Sequence, residues 1–471
     1  MYTDYNQAGA SPAAELASSV RQRFLDFVAP LARELDFWMD RRLVRTLVGA
    51  VEAILVLRSR AQGLLLTELG GYLLPVEHAP AGTKRLSNLL RSQKWTHKRI
   101  GRFLWERACD RLKELEAVRE MPLVLWDASV LEKPESLEAE GLCAVRSTKA
   151  ARLKRIKPGF YNPPGGRPVF VPGMHWLAVM IAGLSSKSGP AQTAFMQWWT
   201  TRGEQATDAR TVQSQVLAWC MKEWQRRALH IFDRGYAGHP WLSLLLFYRT
   251  RFVLRWPNRY KLVGLTADGR AQPREDADEE WEGRPAWQLA TGKKPWDRKL
   301  VFDTHVHQQR SIAILALPVR HPAMNTPLWL VVARAGHGRE PWYLLTSEKV
   351  ETKEDAWRIY FAYHRRWQVE MAFRFNKCEL AMESPRLKEW GNRLKLLSLV
   401  TLAYAFLLLL LRPELHALVE ELLQRFCPRT GERGRETPTP LYRLRAALSR
   451  LWLAFPRHLD LGTLMSAQDT G

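Results

Sequence analysis

The chain has 471 residues, too many for one ordinary hydrophobic core, so two or three domains are expected. With 70 Lys and Arg against 48 Asp and Glu it carries a formal net charge of +22, which favours a polyanionic partner and puts nucleic acid first. Cys109, Cys143, Cys220, Cys378 and Cys427 form no Cys-x2-Cys pair, which argues against structural zinc and for a reducing compartment.

The N-terminus lacks a basic start, apolar run and cleavage site, so no secretion signal is expected. Residues 1–12 read as a loose tail. Residues 13–74 read as helical: Leu16, Val20, Phe24, Phe27 and Leu31 recur at three- and four-residue steps, and Leu43, Leu47, Val51, Ile54 and Leu57 follow suit. After Gly70-Gly71 and a turn over 75–82, a helix pair runs over 83–118 with Trp95 between its halves. Lys84, Arg85, Arg91, Lys94, Lys98, Arg99 and Arg102 make this pair strongly basic. A solvated face would look the same, but the basicity of the whole chain favours phosphate contact by an end-binding domain. No helix-turn-helix is assigned.

At residue 121 the period changes. Pro122-Leu123-Val124-Leu125-Trp126 reads as a buried strand ending at Asp127. Residues 145–159 then carry Arg146, Lys149, Arg152, Lys154, Arg155 and Lys157 with no acid, and 160–173 read as a Pro- and Gly-rich loop that orders on DNA. Strands are expected over 174–181 and 195–200, a helix over 208–226, and a buried strand Ala228-Leu229-His230-Ile231-Phe232 ending in Asp233-Arg234-Gly235-Tyr236. Residues 251–346 read as short strands and loops, with an acidic, solubilising loop at 274–280. His305 and His307 alternate on one strand face with no third metal ligand nearby, so they read as surface histidines. A helix begins near residue 352, with Glu354 and Asp355 in its first turn. The longest uncharged run follows at 396–411, about 16 residues against the roughly 18–20 of a spanning helix, and reads as a buried core helix. A polar linker over 428–440 and a last helix over 441–455 complete the chain.

Tyr363, Arg366, Glu370 and Lys377 fall within about 60° on one face if the segment is a single α-helix. A salt-bridged surface would explain that row, except that Trp357, Tyr360, Phe361, Trp367, Val369, Met371, Phe373 and Phe375 surround it, as in a helix packed on several sides. A carboxylate bracketed by cations in such a helix suits a metal ligand beside a phosphate backbone. The spacing Tyr-x2-Arg-x3-Glu-x6-Lys resembles the signature of the large bacterial insertion-sequence transposase family named for those four residues, within the transposases that use two Asp and one Glu.

That resemblance implies an α/β fold: a ribonuclease-H-like catalytic core interrupted by a β-rich insertion, with an all-α N-terminal domain and an α-helical C-terminal region. The expected layout is 1–119 for DNA-end binding, 120–250 and 349–411 for the two parts of the core, 251–348 for the insertion, and 412–471 as a helical, candidate dimerisation region. Strand, strand, strand, helix, strand over 121–232 is compatible with such a core. The family places its first Asp at the end of the first core strand and its second in a motif much like Asp233-Arg234-Gly235-Tyr236, so Asp127, Asp233 and Glu370 are the expected catalytic and metal-holding residues. A strand-end Asp taken alone is more often a turn-maker.

Phosphodiester chemistry explains why three carboxylates suffice: two divalent cations activate the nucleophile and stabilise the leaving oxygen, and hard Mg²⁺ (or Mn²⁺ in its place) prefers carboxylate oxygens. Tyr363, Arg366 and Lys377 are expected on DNA phosphates, with Arg234, Lys154, Arg155 and Lys157 as further DNA contacts. In Trp342-Tyr343-Leu344-Leu345-Thr346 the family pattern implies a Trp that stacks on an extruded base during hairpin formation; a strand-end core Trp is the alternative. The resemblance further implies double-stranded DNA (transposon ends and target) as partner, a homodimer on DNA and a bacterial cytoplasmic setting. Lys84 and Arg85 follow a Gly without a phosphate-loop pattern, so no small-molecule cofactor is expected, and nothing points to a membrane. Two rivals remain: a ribonuclease-H-like nuclease without strand transfer, and a DNA-binding regulator derived from a transposase.

Overall fold

The computed structural model describes residues 11–456 apart from 60–61, 75, 135, 137, 148–168, 267–269, 271–282, 304–307, 337–338 and 430–440. Lys154, Arg155 and Lys157, the acidic loop at 274–280, and His305 and His307 therefore lie outside the described residues.

Helices open the chain: α1 (Pro12–Asp36), α2 (Arg41–Val56), α3 (Leu66–Leu73), α4 (Ala79–Arg91) and α5 (His97–Ala117). Ser11 caps α1 ahead of a Pro at its first position, and Asp40 accepts the Leu43 amide at the start of α2. Then come β1 (Pro122–Glu132), β2 (Cys143–Arg146), β3 (Phe170–Gly183), β4 (Gln192–Trp199), α6 (Ala209–Trp224), β5 (Leu229–Phe232), α7 (His239–Phe247) and β6 (Phe252–Arg255). The next stretch holds β7 (Lys261–Gly264), β8 (Arg284–Pro285), α8 (Ala286–Ala290), β9 (Asp297–Asp303), β10 (Gln308–Arg320), β11 (Leu328–Arg334) and β12 (Trp342–Thr346). Finally α9 (Lys353–Arg365), α10 (Trp367–Cys378), α11 (Trp390–Leu410), α12 (His416–Phe426) and α13 (Leu441–Ala454) follow.

All the described strands join one mixed sheet, in the order β2-β3-β1-β5-β6-β12-β11-β10-β7-β8, with β4 also beside β3 and β9 beside β10. Within it β1 runs antiparallel to β3, β3 antiparallel to β4, β1 parallel to β5 and β5 parallel to β6. The strands of residues 251–348, read from sequence as a β-rich insertion, join the same sheet. Their first strand, β6, pairs with β5, and β12 pairs antiparallel with β6, so β7–β12 extend the same sheet. The physical reason is the free backbone of β6, which β12 satisfies.

The sheet is covered on both faces. Leu123, Leu125, Leu229 and Ile231 join one core with α1, α2 and α9–α13; Val124, Trp126 and Phe232 join another with α6 and α7. α5 serves both, through Phe103 and Leu104 on one side and Leu112 and Leu115 on the other.

α11 is the centre of the helical layer. By length and composition it is apolar enough to cross a membrane, yet 89% of its apolar window is buried inside the chain. Its buried cations are solvated by backbone carbonyls: Arg393 donates to those of Leu387, Lys388 and Glu140, and Lys395 to those of Leu90 and Ser92. The helices of the last 60 residues pack into the same bundle as those of the first 60. Arg445 of α13 donates to the Ile54, Leu55 and Leu57 carbonyls that end α2, and to Glu379. Phe406 on α11 meets Phe24 at 5.2 Å, Phe27 at 5.8 Å and Trp452 at 6.4 Å between ring centroids, joining three distant parts of the chain. Phe406→Ala is expected to lower stability by about 3–5 kcal/mol and to loosen the N- and C-terminal helices together, read as a drop in the urea midpoint with shared loss of protection in hydrogen exchange over α1, α11 and α13.

Candidate active site

Parallel pairing of β1 with β5 brings two aspartates side by side. Leu123 pairs with Leu229 and Leu125 with Ile231; two residues further along both strands stand Asp127 and Asp233. Asp127 shares the face of Leu123 and Leu125, the face covered by α9 and α10. One expectation needs correcting: Asp127 does not end its strand. β1 continues to Glu132, because β3 is long enough to pair with it from Pro122 to Glu132. On the other side the pairing with β5 ends at Leu125, short of Asp127. Asp233 does stand at a strand end, one residue past Phe232, where a short 3₁₀ turn begins.

The helix that carries the third carboxylate is broken. Thr352 and Asp355 form a reciprocal capping box at the start of α9, and α9 ends at Arg365. Around Arg366 the bonding tightens to three-residue steps: the Arg366 amide donates to the Tyr363 carbonyl, and the Val369 amide donates to the Arg366 carbonyl. α10 starts afresh at Trp367. Tyr363, Arg366, Glu370 and Lys377 are therefore shared between two helices with Arg366 at the joint, rather than lying along one straight face.

That joint aims the Arg366 side chain into the carboxylates. Its guanidinium donates to Asp127 Oδ2 at 3.0 Å and to Glu370 Oε1, while Tyr363 donates its hydroxyl to Asp233 Oδ1 at 3.3 Å. Lys377 Nζ donates to Ser129 Oγ on β1 at 2.7 Å. The structure thus brings Asp127, Asp233, Glu370, Tyr363, Arg366 and Lys377 together beside the part of β1 that lies beyond its pairing with β5. Burial pushes the Asp127 carboxyl up to about 7, opposed by Arg366 and reinforced by Asp233 and Glu370. Burial alone would lower Arg366, but Tyr363, Asp127, Asp233 and Glu370 outweigh it and hold the guanidinium above its ordinary value. Burial and Asp233 push Tyr363 up to about 12, so it is a donor at neutral pH.

Trp342, at the start of β12, is half-buried beside this cluster. It stacks on Tyr360 at 5.4 Å and meets Tyr363 edge-on at 5.1 Å. Arg255, which the sequence reading passed over, lies 5.9 Å above the Trp342 ring, and its charge acts on Tyr363 against the effect of burial. It pairs with Leu344 across β6 and β12, so only the long-range register of the extended sheet places it here. Arg234 is exposed, 3.9 Å from Glu340.

Among the described residues no group of three His, Cys, Asp or Glu side chains is drawn tightly enough together to hold a metal ion. The donor types nonetheless suit a hard divalent cation, and the guanidinium bridging Asp127 and Glu370 stands as an organic cation among them. Tyr236, buried beside Asp127 and Asp233, leaves its hydroxyl without a hydrogen-bond partner among the described residues.

No protein-family profile matches the chain, and no characterised protein matches it in sequence. Among solved structures it is similar to piggyBac transposase in a synaptic complex with hairpin DNA, at a TM-score of 0.38 and 12% identity, over 98% of this chain and 84% of that one.

A carboxyl whose folded pKa exceeds its unfolded value costs stability as pH rises from the unfolded value, here from 3.8 to about 7. Asp127→Asn removes that loss. Between about pH 5 and about pH 8 the stability of the variant relative to the wild type is expected to rise by on the order of 2 kcal/mol, measured by urea unfolding of both proteins free of DNA.

Proposed function

We propose that this chain is a DNA transposase of the insertion-sequence type, with Asp127, Asp233 and Glu370 as its catalytic carboxylates on a ribonuclease-H-like core. The observation that carries the proposal is the convergence of those carboxylates with Arg366, Tyr363 and Lys377, from a strand pair and a broken helix far apart in sequence. The strand order β4-β3-β1-β5-β6, with its antiparallel and then parallel pairings, supports the core assignment. The net charge of +22 supports a DNA partner.

Two Mg²⁺ ions, when bound, would activate water or a DNA 3′-hydroxyl and stabilise the leaving oxygen. The chain's own residues do the rest. Asp127, Asp233 and Glu370 supply hard oxygen donors at the open end of the sheet. Arg366, always charged, has two natural partners: the carboxylates, which it pairs with here, and a phosphate of a bound strand, which it can grip bidentately. A guanidinium that transfers to phosphate frees the carboxylates for a cation. Tyr363, kept protonated, donates to phosphate or to Asp233, and Arg255 and Lys377 add positive charge on either side. Trp342 is the candidate platform for an extruded base, and its support by Tyr360 gives it a fixed orientation.

The test is cleavage of candidate end duplexes with Mg²⁺ by the wild type and by Asp127→Ala, with 3′-end joining to a target duplex followed on a labelled strand. The variant is expected to bind DNA while losing at least about 10³-fold in cleavage rate, the scale of a lost metal-held transition state. Cleavage by the variant near the wild-type rate would overturn the assignment. Cleavage by the wild type with no joined product would make the protein a nuclease instead.

A further inference from the structure

We propose that α4 is the helix that reads DNA sequence, laying Lys84, Arg85 and Asn88 into a major groove. The inference rests on the proposed DNA-end binding and names the element that performs it.

α2 packs against both α3 and α4, and α3 and α4 cross in close contact. Gly70 and Gly82 make that crossing possible: a Cβ at Gly82 would stand 2.0 Å from the Gly70 carbonyl oxygen, and one at Gly70 would stand 2.4 Å from the Thr83 amide nitrogen. A helix pair pressed together on a third helix is the build of a helix-turn-helix unit, in which the second helix enters the groove. The sides of α4 match that role. Gly82, Leu86, Leu89 and Leu90 are buried. On the opposite side Lys84, Arg85, Asn88 and Arg91 are exposed, within an arc of about 120° at 100° per residue. The helix carries no acid. Arg and Asn are the side chains whose paired donors and acceptors match guanine and adenine edges, which a merely solvated face does not need.

The far end of α4 is fixed to the body of the protein. Lys395 of α11 donates to the Leu90 and Ser92 carbonyls at 2.9 and 2.7 Å, and Trp95 Nε1 donates to the Leu89 carbonyl at 2.8 Å. α11 in turn meets α10, the helix of Glu370, where Tyr404 lies 5.7 Å from Phe375 between ring centroids. Lys94, exposed in the turn after α4, is placed for a flanking phosphate.

The full-length protein is used to select from a random-sequence duplex pool, and the recovered duplex is compared with a scrambled one of equal length in binding titrations. The wild type is expected to enrich one motif. Arg85→Ala, Arg85→Lys and Asn88→Ala are each expected to lose about 5- to 150-fold of the preference for it, Arg85→Lys without a change in salt dependence. Lys94→Ala is expected to weaken binding to both duplexes alike and to keep the motif. No enriched motif with the wild type, or an unchanged motif with the Arg85 and Asn88 variants, overturns the inference. It fails separately from the active-site proposal: an altered motif can accompany absent cleavage, and metal-dependent cleavage can accompany an unchanged motif.

Discussion

Three carboxylates gathered at one end of a sheet repel one another and resist burial unless positive charge stands among them. Here that charge is the Arg366 guanidinium, bonded to Asp127 on one side and Glu370 on the other. The break between α9 and α10 falls at the same residue: the Arg366 amide bonds back to the Tyr363 carbonyl and the Val369 amide to the Arg366 carbonyl. Tyr363 and Glu370 lie a turn to either side.

The remaining architecture serves to hold that joint against β1 and β5. Helices from the beginning and end of the chain meet on α11, and α11 supports α10 from behind. On the other side of the sheet α6 and α7 close a separate core around Trp126, Phe232 and Trp241. In a sheet packed on both faces, room for such groups remains where β5 stops alongside β1 and at the flank where β12 joins, and there Trp342 and Arg255 are found.

What could be read from the sequence was local. The apolar runs before Asp127 and Asp233 form strands, the run from Trp342 to Thr346 is β12, and the uncharged run after residue 395 lies in a buried helix. The fixed spacing of Tyr363, Arg366, Glu370 and Lys377 marked the residues that meet. What escaped was set by long-range pairing. β1 runs on past Asp127 because β3 pairs with it, and nothing in Asp127-Ala128-Ser129 announces that. Arg255 looks like any strand-end arginine until β6 is paired with β12. The break at Arg366 lies among residues that all tolerate a helix, so no glycine or proline gives it away. The close contact of Gly70 with Gly82 reads as punctuation until the two helices are seen crossing.

The bundle around Phe406 also constrains how the molecule comes into being. The apolar sides of α1 and α2 find part of their cover nearby, on α3, α4 and α5, and the rest on α11 and α13 at the far end of the chain. At elongation rates of about 5–20 residues per second, that later cover arrives on the order of tens of seconds after α1 and α2 are made. A chain that ended before α11 would lack the Phe406 ring that packs on both Phe24 and Phe27 and would leave apolar surface exposed of the kind that invites aggregation.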